Sequence, residues 1–397
     1  MKKLLLFLLA LAAAFAASAQ IRVVKTSGNG IGVDATALTA SGGTAAATAL
    51  EAFNRDLARA GAMKPVPKGQ GAVTLSGGAT AVGGSVRFTL RADRAGRTIL
   101  NSAFAAPAAS AHQAGNQAAD ALYRALTGKP SFFLSEVVFV GASGKAKELY
   151  LSDASGLAVR QLTHDRTIAV KPRFSHDNRT ISYTSYLRRF PDVYSIDLAS
   201  GARKAVSQYP GLNSGGAFSP DGRSMALILS KDGNPDLYVK DLASGRLRRL
   251  TNTRRVTEGS PCFSPDGRSI VYVSDAGGTY QLYVISAEGG AARRLTTPAM
   301  GSQNVSPDWG PAGIACQSLA GGRFQIAVVD PATGTHKPVT RYDAAYEDPS
   351  WAPDGRHILA SRAAGGATGL YLLDTQGDPP VKFTDAPGNW TMPAWTH

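Results

Sequence analysis

Apolar residues follow two different rhythms along this chain. From Gln20 to about Lys129 the pattern is mixed. Leu50, Phe53 and Leu57 recur at helical spacing within Thr44 to Ala60, and Gly61 stands where a helix end favours glycine. Ala118 to Leu126 predicts a second helix, with Leu122 and Leu126 inward and Gly128 closing it. Ile21 to Lys25 reads as a strand. Three more are expected at Ala72 to Thr80, Ser85 to Arg91 and Thr98 to Phe104, with Gly83-Gly84 as a hairpin turn between the first two. These elements predict a small α/β domain over 20–129, its core made largely of small side chains.

Past Thr127 to Ser131 the rhythm changes, and phrases begin to recur. Phe174-Ser-His-Asp-Asn178, Phe218-Ser-Pro-Asp-Gly222, Phe263-Ser-Pro-Asp-Gly267 and Trp351-Ala-Pro-Asp-Gly355 are one motif. Trp309-Gly-Pro-Ala-Gly313 is a worn copy, and Trp395-Thr-His397 ends the chain where another would begin. The aromatic positions step by 44, 45, 46, 42 and 44 residues. A second phrase runs as Leu149-Tyr150, Val193-Tyr194, Leu237-Tyr238, Leu282-Tyr283, Ile326-Ala327 and Leu370-Tyr371. A third runs as RQLT, KAVS, RRLT, RRLT, KPVT and VKFT. Repetition at 40–45 residues with several short strands per unit predicts propeller blades, and six copies demand six of them. In the turn phrase proline pre-sets φ, aspartate suits the next position, and glycine accepts a left-handed backbone. Asp221, Asp266 and Asp354 are therefore read as turn residues. The first blade, starting near Phe132, lacks an inner strand, and Met392 to His397 is expected to supply it. Such closure removes exposed sheet edges. The predicted fold class is α+β and multidomain, with the α/β domain followed by a closed six-bladed β-propeller over 130–397.

Composition changes the picture in three places. Met1-Lys2-Lys3, an apolar Leu4 to Ala16 and Ala17-Ser18-Ala19 form a secretory signal, with cleavage expected after Ala19. The net charge of +13 first suggests nucleic acid, but export argues against it. The scattered basic residues, including Arg188-Arg189 and Arg254-Arg255, read as a solvated face, or else as attraction toward an anionic envelope or an acidic partner. Two cysteines, Cys262 and Cys316, are too few for a disulfide framework and leave one bridge or two buried thiols open.

An export signal, a small α/β domain and a propeller of FSPDG repeats, in that order, resemble the TolB family of the Tol–Pal envelope system. Gly301-Ser-Gln-Asn304 is similar to a glycine-x-x-asparagine loop of that family, and Asp236 to Gly245 and Pro393-Ala-Trp395 also match. The α/β domain is shorter than is usual there, and Asn213-Ser-Gly-Gly-Ala217 lacks the proline expected before Phe218. The resemblance implies a periplasmic, monomeric scaffold supporting envelope integrity and constriction at division. Its partners would be a Pal-like lipoprotein at the propeller mouth and a TolA-like protein at the mature N-terminus, Gln20, Ile21, Arg22, Val23 and Val24.

The residues themselves argue for binding over catalysis. No G-x-S-x-G elbow is present, and none of His112, His164, His176, His336, His357 and His397 pairs at a metal-ligand spacing. No catalytic, cofactor or metal residue is expected, and His176 and His357 read as turn or surface residues. A propeller gathers its inter-blade loops around one mouth of a central channel, and here they carry aromatic and polar residues suited to a protein interface. Candidate partner residues are His164, Asp165, Asn213, Ser214, Thr257, Glu258, Gly259, Gly301, Ser302, Gln303, Asn304, Tyr346, Glu347, Asp348 and Trp390; Tyr209 and Tyr342 lie in the same loops. The alternatives are an exported propeller enzyme or carbohydrate-binding protein, or a TolB-like paralogue with another envelope partner.

Overall fold

The computed structural model describes residues 30–341 and 343–397. The signal segment, the strand expected at Ile21 to Lys25, the TolA-like candidates Gln20 to Val24, and Tyr342 lie outside them. No helix among the described residues is long and apolar enough to cross a membrane.

The first region is a six-stranded sheet with two helices. Its strands are β1 (Ile31–Asp34), β2 (Leu38–Ser41), β3 (Met63–Pro65), β4 (Val73–Val82), β5 (Ser85–Arg94) and β6 (Arg97–Pro107), ordered β3-β1-β4-β5-β6 with β2 also along β4. Helix α1 spans Thr44–Arg59 and α2 spans His112–Thr127. Strand β5 alternates strictly, so Val86, Phe88, Leu90 and Ala92 face the helices and join Phe53, Leu57 and Leu122 in one core. Gly83 and Gly84 both take positive φ, as a two-residue hairpin between β4 and β5 requires. The second helix begins six residues before the expected Ala118. Its first turns carry Ala114 and Gly115, too small to register as an apolar stripe. A Cβ on Gly115 would overlap the Ala49 carbonyl, so the two helices meet backbone against backbone at a crossing that only glycine permits.

The repeats form six four-stranded antiparallel sheets, as the phrases predict. Blade 2, for example, runs Ala169–Phe174, Thr180–Ser185, Asp192–Asp197 and Arg203–Ser207 from inner to outer strand. Second strands such as Ser269–Ser274 read as continuous apolar runs because a neighbouring blade covers each face. The aromatic before each turn packs across a blade boundary. Phe174 meets Val138 and Leu151 of blade 1, Phe263 meets Ala217 and Ile228 of blade 3, and Trp351 meets Ala315 and Ile326 of blade 5. Asp221 and Asp266 hold their turns by accepting from Ser219 and Ser264 hydroxyls and from the amides of Arg223 and Arg268. Asp354 serves its turn differently. It accepts from the amides of Arg356 and His357 and pairs with His357 Nδ1 at 2.6 Å. His357 is therefore buried, 2 % exposed against Phe132, instead of lying at the surface.

Blade 1 is composite. Its inner strand is Asn389–Trp395, which pairs antiparallel with Glu136–Ser143, Val137 opposite Trp395. Both cysteines are free, and burial pushes each thiol up to about 12. The first region packs against blades 1 and 6 through Arg59, 7 % exposed, whose guanidinium donates to the carbonyls of Ser155, Lys382 and Phe383 at 2.7–2.8 Å. Beside it Asp56 is fully buried with no bonding partner among the described residues, and desolvation holds its carboxyl well above the usual range.

Candidate partner-binding face

Strand alternation decides which loops share a face. Blades 2 to 6 each run inner strand first, and blade 1 borrows its inner strand in the same direction, so inter-blade loops and second-to-third hairpins emerge on one side, and the S-P-D-G turns on the other. All fifteen expected propeller residues lie in or next to the inter-blade loops.

Those loops are held by a clasp repeated from blade to blade. The threonine ending the third phrase accepts from the amide opening the second: Thr163 from Leu149, Thr251 from Leu237, Thr296 from Leu282 and Thr340 from Ile326, all at 2.8–2.9 Å. The same hydroxyls donate to Glu148, Glu258, Gln281 and Gln325. Asn213 and Asn304 complete the clasp in their blades. Asn213 accepts from Ser207 Oγ and the Tyr209 amide and donates to the Tyr209 carbonyl; Asn304 donates to Gln281 Oε1 at 2.8 Å and to the Gly301 carbonyl at 3.2 Å. Both asparagines are fully buried. Glu258, 3 % exposed, also accepts from the Leu237 amide at 3.0 Å, and burial pushes its carboxyl up to about 7.

The expected residues thus divide in two. The side chains of Asn213, Glu258, Asn304, Tyr346 and Trp390, with Gly301, are buried and build the rim. Trp390 donates to the Ala386 carbonyl and packs on Tyr150 and Phe139. His164, Thr257 and Ser302 are exposed, and Asp165, Ser214, Gly259, Gln303, Glu347 and Asp348 are half-buried at the mouth. Asp165 is engaged by Arg203 at 2.6 Å.

Below the rim the inner strands contribute a ring of residues to one cavity, a feature the sequence pattern did not reveal. Every inner strand breaks register at one place, leaving Lys171, Gly215-Gly216, Ser260, Ser306, Asp348 and Met392 at positive φ. A proline follows in five blades, and the glycine pair replaces it in blade 3. Non-glycine residues pay strain in this conformation, and a following proline disfavours it further. The available signal was the X-Pro dipeptide two residues before each aromatic. Desolvation, then repulsion from Glu347, pushes Asp348 up to about 6, while Lys171, Arg173 and Lys147 oppose the shift. Water reaches Lys171 along the bore, yet the enclosing walls lower its pKa. At the opposite mouth Phe174, Phe218, Phe263, Trp309, Trp351 and Trp395, one from each blade, line a cavity of about 250 Å³.

Comparison with known proteins agrees with this architecture. Residues 123–397 match the model of the TolB beta propeller domain. The chain is 35 % identical over 347 residues to the Tol-Pal system protein TolB of Gluconobacter oxydans, covering 83 % of this chain and 75 % of that protein. The crystal structure of TolB from Acinetobacter baumannii superposes with a TM-score of 0.81 at 24 % identity, covering 94 % of this chain and 97 % of that one. A putative TolB from Agrobacterium tumefaciens gives 0.53 at 19 % identity over 64 % of this chain and 89 % of that one.

Proposed function

The chain belongs to the TolB family, and on that premise we propose that it acts as a non-enzymatic docking protein of a Tol–Pal envelope system in the periplasm. Its propeller mouth receives a Pal-like lipoprotein, and residues 20–24 of the exported chain engage a TolA-like protein. The observation supporting this reading is the division of labour at the mouth. A clasped rim leaves Ser302, Gln303 and Glu347 presented above a strained ring to which Asp348 itself belongs, which is how a preorganised protein interface limits the entropy lost on binding.

Calorimetric titration with the soluble domain of a Pal-like lipoprotein tests it. Combining Ser302→Ala, Gln303→Ala, Glu347→Ala and Asp348→Ala should weaken binding at least about 30-fold, since central interface truncations cost ~2 kcal/mol or more together. Unchanged affinity in a folded variant contradicts the mouth as the site. Removal of residues 20–24 should abolish capture by a TolA-like domain and leave the lipoprotein affinity alone.

A further inference from the structure

Blades 2, 3 and 4 join their second and third strands by the same six-residue hairpin on the mouth face: Tyr186–Pro191, Ser230–Pro235 and Asp275–Tyr280. The turn is identical in its bonding. The amide of Arg189 reaches the Tyr186 carbonyl, Gly233 that of Ser230 and Gly278 that of Asp275, all at 2.8–2.9 Å. Blades 3 and 4 place glycine at the positive-φ position, and blade 2 places Arg189 there at φ 74. The polar or small residues of the two sister loops give way in blade 2 to Tyr-Leu-Arg-Arg-Phe, and all five are exposed, Leu187 by 51 % and Phe190 by 69 %. The sister blades show that the fold is satisfied by Ser-Lys-Asp-Gly-Asn-Pro in this turn, so neither the apolar side chains nor the strained arginine is needed for folding.

We propose that this hairpin is a membrane-contact finger, which seats Tyr186, Leu187 and Phe190 in the interface of an anionic bilayer while Arg188 and Arg189 bind lipid phosphates. The surrounding charge is complementary to such a surface. Lys145, Arg166, Arg254, Arg255 and Arg341 are exposed on the same face and form no ion pair among the described residues. The carboxylates Asp165, Asp232 and Asp343 there are each held by a cation, Arg203, Lys231 and Arg362. Asp192 lies 3.9 Å from Arg188 of the finger itself, a contact a lipid phosphate would have to replace, and Glu347 at the mouth is offset by the more numerous free cations. Although a depression of about 410 Å³, formed with Gln208 to Gly211, lies at its flank, the tip itself carries apolar residues on either side of paired arginines. It matches the layering of a bilayer surface, with phosphates outside and the acyl boundary beneath. The proposal goes beyond partner docking at the mouth and is independent of it.

Flotation of the purified protein with vesicles of phosphatidylglycerol in phosphatidylcholine, against phosphatidylcholine alone, tests it directly. Binding to the anionic vesicles should fall at high salt. It should also fall roughly 25-fold in Arg188→Gln/Arg189→Gln, the factor expected for two cations lost from an anionic surface. Leu187→Ser/Phe190→Ser should lose binding while keeping its melting temperature. Replacing Tyr186–Pro191 by the blade 3 sequence Ser-Lys-Asp-Gly-Asn-Pro preserves the turn and should abolish flotation. Equal flotation of the graft and the unaltered protein overturns the proposal. So does an absence of vesicle binding, whether or not the graft then weakens binding to a Pal-like domain; a weakened graft would assign the finger to a protein contact.

Discussion

Truncating Trp395 to alanine isolates the closure of the ring. The indole is 3 % exposed and stands 5.4 Å from the Phe132 ring and 6.2 Å from that of Phe383, so it ties the last inner strand to blade 6 and to the segment that opens blade 1. Its backbone amide also reaches Ser350 Oγ, on the inner strand of blade 6, at 3.2 Å. Burial of roughly 200 Å² of indole, at about 25 cal/mol per Å², gives ~5 kcal/mol as an upper figure. Nε1 has no bonding partner among the described residues, so its removal sacrifices no hydrogen bond. The expected loss is about 4 kcal/mol, within the range for buried tryptophan truncations. At ~2–4 °C per kcal/mol for a unit of this size, the melting temperature should fall by roughly 8–16 °C. Scanning calorimetry and urea unfolding measure it, with Trp309→Ala as the control. Trp309 is half-buried in blade 5, whose four strands are continuous in sequence, and should cost about half as much. A loss below ~1 kcal/mol for Trp395→Ala, or one no larger than the control's, refutes the reasoning.

Three further outcomes follow from the buried polar groups. Glu258 has a folded pKa of about 7 against an ordinary 4.5, so the unfolded chain releases this proton first and stability falls as pH rises from 4.5 to 7. The stability advantage of Glu258→Gln should therefore grow by up to about 3 kcal/mol across that window and level off above it, and equal denaturation differences at pH 5 and pH 8 would exclude the effect. Arg59→Met strips three carbonyls of their donor and should cost about 3 kcal/mol, with calorimetry splitting one transition into two as the first region uncouples; a single unshifted transition argues against the contact. Cys316, fully buried with its thiol near 12, should resist alkylation at pH 8 until denaturant is added, whereas Cys262, half-buried in the lining of the cavity at the opposite mouth, should label before it; rapid labelling of Cys316 in the native protein would show that the blades open.

The propeller was legible because its signal is repeated. Six copies of three phrases fix blade number and register, and Trp395 announced its own pairing by being an aromatic without a turn after it. The first region was harder for opposite reasons. Strands of three or four residues such as β1 and β3 hold too few positions to show alternation, and α2 buries alanines where a stripe of leucines would have marked it. At the mouth, sequence placed the loops correctly but could not tell rim from surface. Asn213, Asn304 and Glu258 look like exposed polar loop residues, and only the hydroxyls of Ser207, Thr251 and the side chain of Gln281, brought close by the blade fold, turn them inward. The strained ring hid because a left-handed residue before proline contradicts local preference, and strain of that kind is imposed by tertiary context.

Val137 and Trp395 are opposite each other in one sheet yet roughly 260 residues apart in the chain. Bringing such distant segments together costs ~5 kcal/mol of loop entropy before any contact repays it, whereas every other blade assembles from neighbours. Closure should accordingly be the slow, late step of folding. A circular permutant with its ends moved into the Lys231–Asn234 turn would shorten that span to roughly 110 residues, since the first region still lies between the joined ends and Val137, and should therefore close the ring only modestly faster.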